Sequence, residues 1–248
     1  MNPRVEDNHM TKKILTYLVF GSSLCLLWSF LAQENTAPEV KLILTRGNGP
    51  LKPNTLVPYR IEVADKEDGT SDYGEIPMNE VILSVKYISD SSKVKAYLAS
   101  DAIKNYRALS WMGSNACFTC HRAKERLIGP SFSEIAKRYS EQKNSVSELS
   151  EKVIKGSQGT WGDQIMPAQM QLPPDQIQDV IQWILRNAQA EDFSYFPGLQ
   201  GAFRTWESKS GTEPGGAYVL SAHYLDHGLN ENPPQSKLGK DLLVLFQK

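Results

Sequence analysis

The run Cys-Phe-Thr-Cys-His at residues 117–121 constrains this chain more than any other feature. Two cysteines separated by two residues on an incipient helical turn reach neighbouring substituents along one edge of a porphyrin. A histidine directly after them brings its ring under the metal. This C-x-x-C-H spacing is the attachment signature of a c-type haem. It predicts one covalent haem c, bound by thioethers at Cys117 and Cys120, with His121 as the first axial iron ligand.

Two other chemistries use a similar pair of cysteines. A thioredoxin-type redox pair requires the motif to follow a strand in a βαβ unit, and the surrounding sequence has no such pattern. A zinc site requires a second pair of ligands, yet the only other cysteine is Cys25. The surroundings therefore favour haem attachment over both alternatives.

A haem iron usually needs a second axial ligand, and a methionine before a proline offers one. Met166 lies in the run Trp-Gly-Asp-Gln-Ile-Met-Pro, residues 161–167, where glycine and proline predict a loop. A thioether is a soft ligand that raises the reduction potential of a histidine-ligated haem. Met170, four residues later, is the rival ligand. Its alternative role is that of a core or pocket-lining side chain.

These segments resemble the short single-haem class I bacterial cytochromes c. The likeness rests on four runs, residues 117–121, 128–130 (Ile-Gly-Pro), 154–162 and 166–167. His121 and Met166 also have that family's ligand spacing. The resemblance implies axial ligation by both residues and a Pro130 carbonyl that accepts the ring N–H of His121. It further implies that the Trp161 indole donates a hydrogen bond to a haem propionate.

Helical periodicity surrounds the motif, as a small haem domain requires. Asp101 is a candidate cap for a helix that leads into the motif, and Ser145 with Glu148 forms an S-x-x-E capping box. Prolines 173 and 174 open a third helix. We predict an all-α class I cytochrome c domain at residues 100–190. Its aromatic side chains are assigned packing roles only: Tyr106, Trp111, Phe132 and Trp183.

On both sides of this domain the pattern changes to period two. It predicts strands at residues 40–44, 56–63 and 81–87 before the domain, and at 201–206, 216–226 and 242–246 after it. Residues 35–40 and 62–69 resemble PKD-like, immunoglobulin-type modules found beside cytochromes in secreted quinoprotein-type sugar dehydrogenases. Residues 216–226 resemble the closing strands of such modules.

Neither flank contains enough strands to build a β-sandwich alone. We therefore predict that residues 34–99 and 196–248 pair into one immunoglobulin/PKD-like sandwich with the haem domain inserted between them. Such an insertion is tolerated when the ends of the insert lie close together. Two separate small β units are the alternative.

The N-terminal segment predicts export. Lys12 and Lys13 precede an apolar run, residues 14–32, which is long enough for a signal peptide or for a membrane span. Phe30 makes a poor cleavage site before a cut at Ala32, so residues 1–33 are predicted to be either a signal peptide or a retained membrane anchor. Both readings predict a periplasmic or otherwise extracytoplasmic protein, tethered to the inner membrane if the segment is retained.

The remaining signals are weaker. With 27 basic and 28 acidic side chains, the chain has no net field that would attract nucleic acid. An acidic turn offers calcium ligands, but acidic residues between strands are more often solvated: Asp65, Glu67, Asp68 and Asp72. His223 and His227 could ligate a metal or replace Met166, although surface positions are the commoner outcome for such histidines.

The predicted function is electron transfer rather than catalysis. With histidine and methionine both bound, the iron has no open position for oxygen or peroxide. We predict a carrier of single electrons between periplasmic redox proteins, with a quinoprotein dehydrogenase or a respiratory oxidase as candidate partners. The alternatives are a haem peroxidase or sensor in which Met166 dissociates, and a carbohydrate-binding or adhesion β-module with an accessory haem.

Overall fold

The computed structural model describes residues 34–45, 50–100, 104–206, 216–229 and 235–247. The predicted signal or anchor at residues 1–33 and the predicted helix cap Asp101 lie outside these ranges. From Asn35 onward the chain forms one compact unit. Within the described ranges no helix is long and apolar enough to cross a membrane.

The described residues contain eight strands and five α-helices. The strands are β1 (Glu39–Leu44), β2 (Leu56–Asp65), β3 (Gly69–Thr70), β4 (Ile82–Ile88), β5 (Phe193–Pro197), β6 (Gln200–Arg204), β7 (Ala217–Leu225) and β8 (Leu238–Phe246). The helices are α1 (Val94–Ala99), α2 (Lys104–Ser114), α3 (Phe132–Tyr139), α4 (Ser145–Lys155) and α5 (Pro174–Asn187). All but α1 lie in the segment predicted to bind haem.

Strands from both ends of the chain build two antiparallel sheets. In the first sheet β2 pairs with β1 along one edge and with β3 and β6 along the other. The second sheet has the order β5-β4-β7-β8. The pairing joins distant parts of the sequence, with Leu56 opposite Arg204 and Ile82 opposite His223.

The two sheets share one hydrophobic core. Strand β2 alternates buried and exposed residues, as expected for a sheet with one face against a core. Strand β7 contributes every second side chain from the opposite sheet. The shared core includes Val57, Tyr59 and Ile61 from β2, and Tyr218, Leu220, Ala222 and Tyr224 from β7. Strands before and after the helical segment thus cover the same apolar surface.

The helices pack on the outer face of the second sheet. Every residue of β7 is buried, because its second face is covered as well. Val219 packs near α1, and the His223 ring lies 4.8 Å from the ring of Tyr106 on α2. A second cluster joins Ile82 of β4 with Met112 of α2 and Trp183 of α5. The expectation that His223 is a surface residue is therefore wrong.

The capping box predicted at Ser145 and Glu148 is also wrong. Helix α4 begins after Asn144, whose φ of 66° lies in the left-handed region, and no side chain caps it. The Glu148 carboxylate instead accepts a hydrogen bond from Lys152 Nζ at 2.6 Å. The capping box is at the start of α3, where the side chains of Ser131 and Glu134 each accept the other's backbone N–H.

Six strands lie close to their predicted positions, but β3, β5 and helix α1 were not predicted. Strand β5 begins at Phe193, before the boundary predicted at residue 196.

The acidic turn does not gather around one point: Glu67 accepts from Thr36, and Asp68 accepts from Tyr224. Among the described residues no three His, Cys, Asp or Glu side chains form a metal-binding group.

Truncation tests the shared core. Deleting the chain after Phe196 removes β6, β7 and β8 and should expose the apolar faces of residues 40–44 and 81–87, since half a sandwich cannot cover its own core. We expect aggregation or rapid proteolysis of the N-terminal part, with the haem spectrum retained because the haem-binding segment precedes the cut. Limited proteolysis measures this. Equal resistance of residues 38–89 in truncated and full-length protein would instead indicate two independent β units.

Candidate haem site

One cavity of about 300 Å³ collects the predicted site residues. Its walls include apolar side chains of α2, α4 and α5, among them Met112, Leu149, Val153, Ile177, Ile181 and Ile184. All six predicted residues line it: Cys117, Cys120, His121, Pro130, Trp161 and Met166. The rival Met170 does not line the cavity, and 80% of its surface is exposed. The structure thus brings two thiols, one imidazole and one thioether together, a donor set that fits a haem c.

A tight turn presents the cysteine pair. After α2 ends, Ala116 adopts a left-handed conformation with φ of 55°, and a 3-10 turn follows at Cys117–Thr119. The Cys117 carbonyl accepts the backbone N–H groups of Cys120, at 3.3 Å, and His121, at 3.0 Å. Burial raises the pKa of the Cys117 thiol to about 11. The shift is opposite in direction to the lowered pKa of a thioredoxin-type thiolate, which disfavours that alternative.

The His121 ring is fixed by the chain that passes beneath it. Its Nδ1 lies 2.7 Å from the Pro130 carbonyl oxygen, which can only accept, so Nδ1 carries the hydrogen. Burial lowers the pKa of His121, although the Pro130 hydrogen bond partly opposes that shift. The ring also stacks on Phe132 at 5.4 Å. A neutral imidazole with Nδ1–H engaged keeps the Nε2 lone pair available for a metal.

Gly129 is the residue that permits this placement. A Cβ at this position would lie 2.5 Å from Cε1 of His121 and 2.9 Å from its Nδ1, closer than real side chains approach. The Ile-Gly-Pro run at residues 128–130 contributes to the family resemblance, but the role of its glycine is evident only from the tertiary structure. The glycine is required because backbone and imidazole are in direct contact.

Gly129→Ala should therefore displace the imidazole and destabilise the holoprotein by about 1–3 kcal/mol, the usual range for overpacking. We expect a lower melting temperature together with a changed haem absorption spectrum. Gly74→Ala is the matched control, because Gly74 does not line the cavity and a Cβ there meets no atom within 4 Å although φ is +71°. It should reduce stability without changing the spectrum. An unaltered spectrum in Gly129→Ala would contradict the role assigned to this glycine.

The Met166 loop is anchored by its backbone. Met166 N–H donates to the Ser157 carbonyl at 2.8 Å, and Ser157 N–H donates to the Met166 carbonyl at 3.1 Å. Gly156 lies directly against this bridge with φ of +80°, and a Cβ there would be 2.8 Å from the Met166 oxygen. The contacts with Gly156 and Ser157 thus hold Met166 in the wall of the cavity, next to Pro167.

Two arginines that sequence reasoning missed flank Trp161. The guanidinium of Arg138 lies 4.8 Å from the indole ring centre, and that of Arg126 lies 5.7 Å from it. Arg126 also pairs with Glu134 at 2.8 Å and, as the largest cause, lowers the pKa of that carboxyl to about 2. The arginines come from a loop and a helix distant in sequence, so no local pattern could indicate them. Their positive charge favours a carboxylate near Trp161.

The cavity opens to solvent between apolar side chains. Ile128 and Ile165 line it and are 54% and 65% exposed. His223 and His227 do not line it, so neither replaces Met166 there. His227 instead lies between two carboxylates, 3.2 Å from Asp68 and 2.9 Å from Glu80.

Comparison with known proteins finds matches in the helical segment. A family model for cytochrome c matches residues 110–188. Cytochrome c-552 of Hydrogenobacter thermophilus is 36% identical over 69 residues, which cover 28% of this chain and 69% of that protein. Cytochrome c-551 of Pseudomonas denitrificans is 31% identical over 72 residues, covering 29% of this chain and 87% of the relative. The solved structure of Nitrosomonas europaea cytochrome c552 is 28% identical, covers 30% of this chain and 93% of its own, and has a TM-score of 0.30.

Proposed function

Because this chain belongs to the cytochrome c family and carries a covalently bound haem c, we propose that it is exported and passes single electrons between periplasmic redox proteins. Membership of this family supports the general role of a monohaem electron carrier. The observation that supports the proposal best is the convergence of Cys117, Cys120, His121 and Met166 on one apolar cavity. When bound there, haem supplies a one-electron iron couple.

The proposed roles follow from the chemistry of each side chain. Cys117 and Cys120 would form the thioethers, and His121 and Met166 would ligate the iron, since all four line the cavity. The Pro130 carbonyl accepts the Nδ1–H of His121, which holds the ring and makes it a stronger ligand. We assign the Trp161 indole to a haem propionate, a role favoured by the two guanidinium groups beside it.

A carrier role is favoured over a peroxidase or sensor by the way Met166 is held. Reciprocal backbone hydrogen bonds to Ser157 and the close contact at Gly156 restrain the loop. A methionine restrained in this way would stay on the iron, so that no coordination position would be open to a small molecule and little structure would change between redox states. The exposed Ile128 and Ile165 provide an apolar surface beside the cavity where a redox partner could make contact.

The proposed partners are a quinoprotein dehydrogenase as donor and a respiratory oxidase as acceptor. This rests on the resemblance of the β flanks to modules beside such dehydrogenases, an argument by analogy. We further propose that residues 34–99 and 196–248 form one PKD-like sandwich carrying the haem domain, residues 100–190. Export, with or without an inner-membrane tether, is assigned to residues 1–33, outside the described structure.

The test is to purify the holoprotein from a host that attaches haem and to mix it with candidate periplasmic dehydrogenases. Rapid reduction by one of them, followed at the haem absorption bands, is the expected result. Carbon monoxide provides the second measurement, because a six-coordinate reduced iron should not bind it. Fast carbon monoxide binding to the wild-type protein would favour the peroxidase or sensor alternative.

A further inference from the structure

Acidic side chains are buried at one end of the β-sandwich, away from the haem cavity. Four short segments meet there, residues 35–36, 65–68, 224–228 and 235–237. Asp65 and Asp226 are 7% and 2% exposed. Burying a carboxylate without a compensating charge is costly, so the partners of these two side chains decide what this region can bind.

Asp226 is oriented by neutral donors. Its Oδ1 accepts the backbone N–H groups of Gly228, at 3.0 Å, and Lys237, at 2.8 Å. Its Oδ2 accepts Nδ2 of Asn35 at 2.9 Å. Burial raises the pKa of Asp226, and the negative charge of Asp65 adds to that rise. The Asp65–Asp68 turn lies beside Asp226, because Oδ2 of Asp68 accepts from the Tyr224 hydroxyl at 2.7 Å and from the His227 N–H at 2.9 Å.

Asn35 leaves a buried oxygen without a partner. Its Nδ2 donates to two acceptors, Oδ2 of Asp226 and the Gln235 carbonyl, both at 2.9 Å. Rotating the Asn35 amide by 180° would place its Oδ1 against two oxygens that can only accept. The two hydrogen bonds therefore fix the orientation of the amide. Oδ1 of Asn35 is then buried with no hydrogen-bond partner, although the residue is only 5% exposed.

Asp65 leaves a second such oxygen. Its Oδ1 accepts the backbone N–H groups of Glu67, at 2.9 Å, and Asp68, at 2.7 Å. Its Oδ2 is buried and has no partner. The turn lies beside Asn35, because Thr36 donates to the Glu67 carboxylate from both its backbone and its hydroxyl. Two orphan oxygens and two buried carboxylates therefore occupy one end of the sandwich.

Two cationic side chains lie nearby, His227 and Lys237. His227 contacts Asp68 and Glu80 through its two ring nitrogens, and these carboxylates, Glu80 first, raise its pKa to about 9. Protonated His227 thus compensates that pair at neutral pH. Within the described ranges neither Asp65 nor Asp226 forms an ion pair. Lys237 Nζ donates to the Asn35 carbonyl oxygen at 2.5 Å, so a single ammonium faces two buried carboxylates, and an excess of negative charge remains.

We propose that Asp65, Asp226 and Asn35 bind a calcium ion, with Oδ2 of Asp65 and Oδ1 of Asn35 as ligands that lack any other partner. Two carboxylates and an amide oxygen are hard ligands, and calcium completes its six to eight positions with carbonyls and water. All three side chains offer oxygen only, so the set suits calcium rather than a transition metal that prefers nitrogen or sulfur ligands. Few charged ligands predict weak affinity, with a Kd of about 10⁻⁴–10⁻³ M, as in extracellular modules.

The ion would link three segments: the residues that precede β1, the β2–β3 turn and the residues that follow β7. Isothermal titration of the full-length holoprotein with calcium, after treatment with a chelator, measures the binding directly. We expect one site, and a rise in melting temperature of about 3–11 °C in 10 mM calcium. Asp65→Asn and Asn35→Ala should each weaken binding at least about tenfold, since each removes a ligand.

Asp72→Asn is the matched control, because Asp72 is an exposed acid just after β3 and should leave the affinity unchanged. The absence of heat and of any thermal shift in the wild type overturns the proposal, whether or not the variants fold. Equal loss in Asp72→Asn and Asp65→Asn would also overturn it.

Discussion

Replacing both Cys117 and Cys120 with alanine should leave residues 104–187 without stable helices. The haem cavity of about 300 Å³ is lined by apolar side chains of four helices, α2 to α5, and losing its filling exposes them to water or leaves a void. At about 24 cal/mol per Å³, an empty cavity of this size costs about 7 kcal/mol. That equals much of the stability of a typical domain, about 5–15 kcal/mol. The helical segment therefore depends on covalent haem.

Circular dichroism of the purified variant measures the loss of helix. Thr119→Ala is the matched control, because it changes the same turn and keeps both cysteines and His121. It should attach haem and retain the helical signal. Native helix content in the haem-free double variant would contradict the dependence on haem, and it would mean that the helices close the cavity by repacking.

Replacing Met166 with alanine should abolish the weak near-infrared sulfur-to-iron absorption band. It should also lower the reduction potential by on the order of 0.1 V or more, since axial ligands set haem potentials over a range of about 0.8 V. Met166 lines the cavity, and its backbone N–H and carbonyl are both hydrogen-bonded to Ser157. Absorption spectroscopy and a redox titration of the holoprotein measure both effects.

Met170→Ala is the control for this experiment. Its side chain is 80% exposed and does not line the cavity, so both the near-infrared band and the potential should be almost unchanged. The opposite pair of results would show that Met170 is the sixth ligand. Carbon monoxide should bind the reduced Met166→Ala variant, because the substitution opens a coordination position.

Several local features could be predicted from the sequence because neighbouring residues encode them. The spacing of Cys117, Cys120 and His121 specifies haem attachment, and glycine and proline around Met166 specify a loop. Alternating patterns located six of the eight described strands. A local signal failed where the same pattern occurs in two structural contexts. The S-x-x-E run at Ser145 does not cap a helix, whereas the S-x-x-E run at Ser131 does.

The sequence by itself therefore determined the cofactor chemistry, the candidate ligands and the alternation of β and α segments. Only the tertiary structure decided which strands pair, as with Leu56 and Arg204, and that His223 is buried against Tyr106. It also decided that Asp226 and Asn35 share a hydrogen bond across most of the chain. The physical reason is the separation along the sequence over which each kind of signal acts. Periodicity and spacing report interactions within a few turns, whereas these contacts arise when distant apolar faces are packed together.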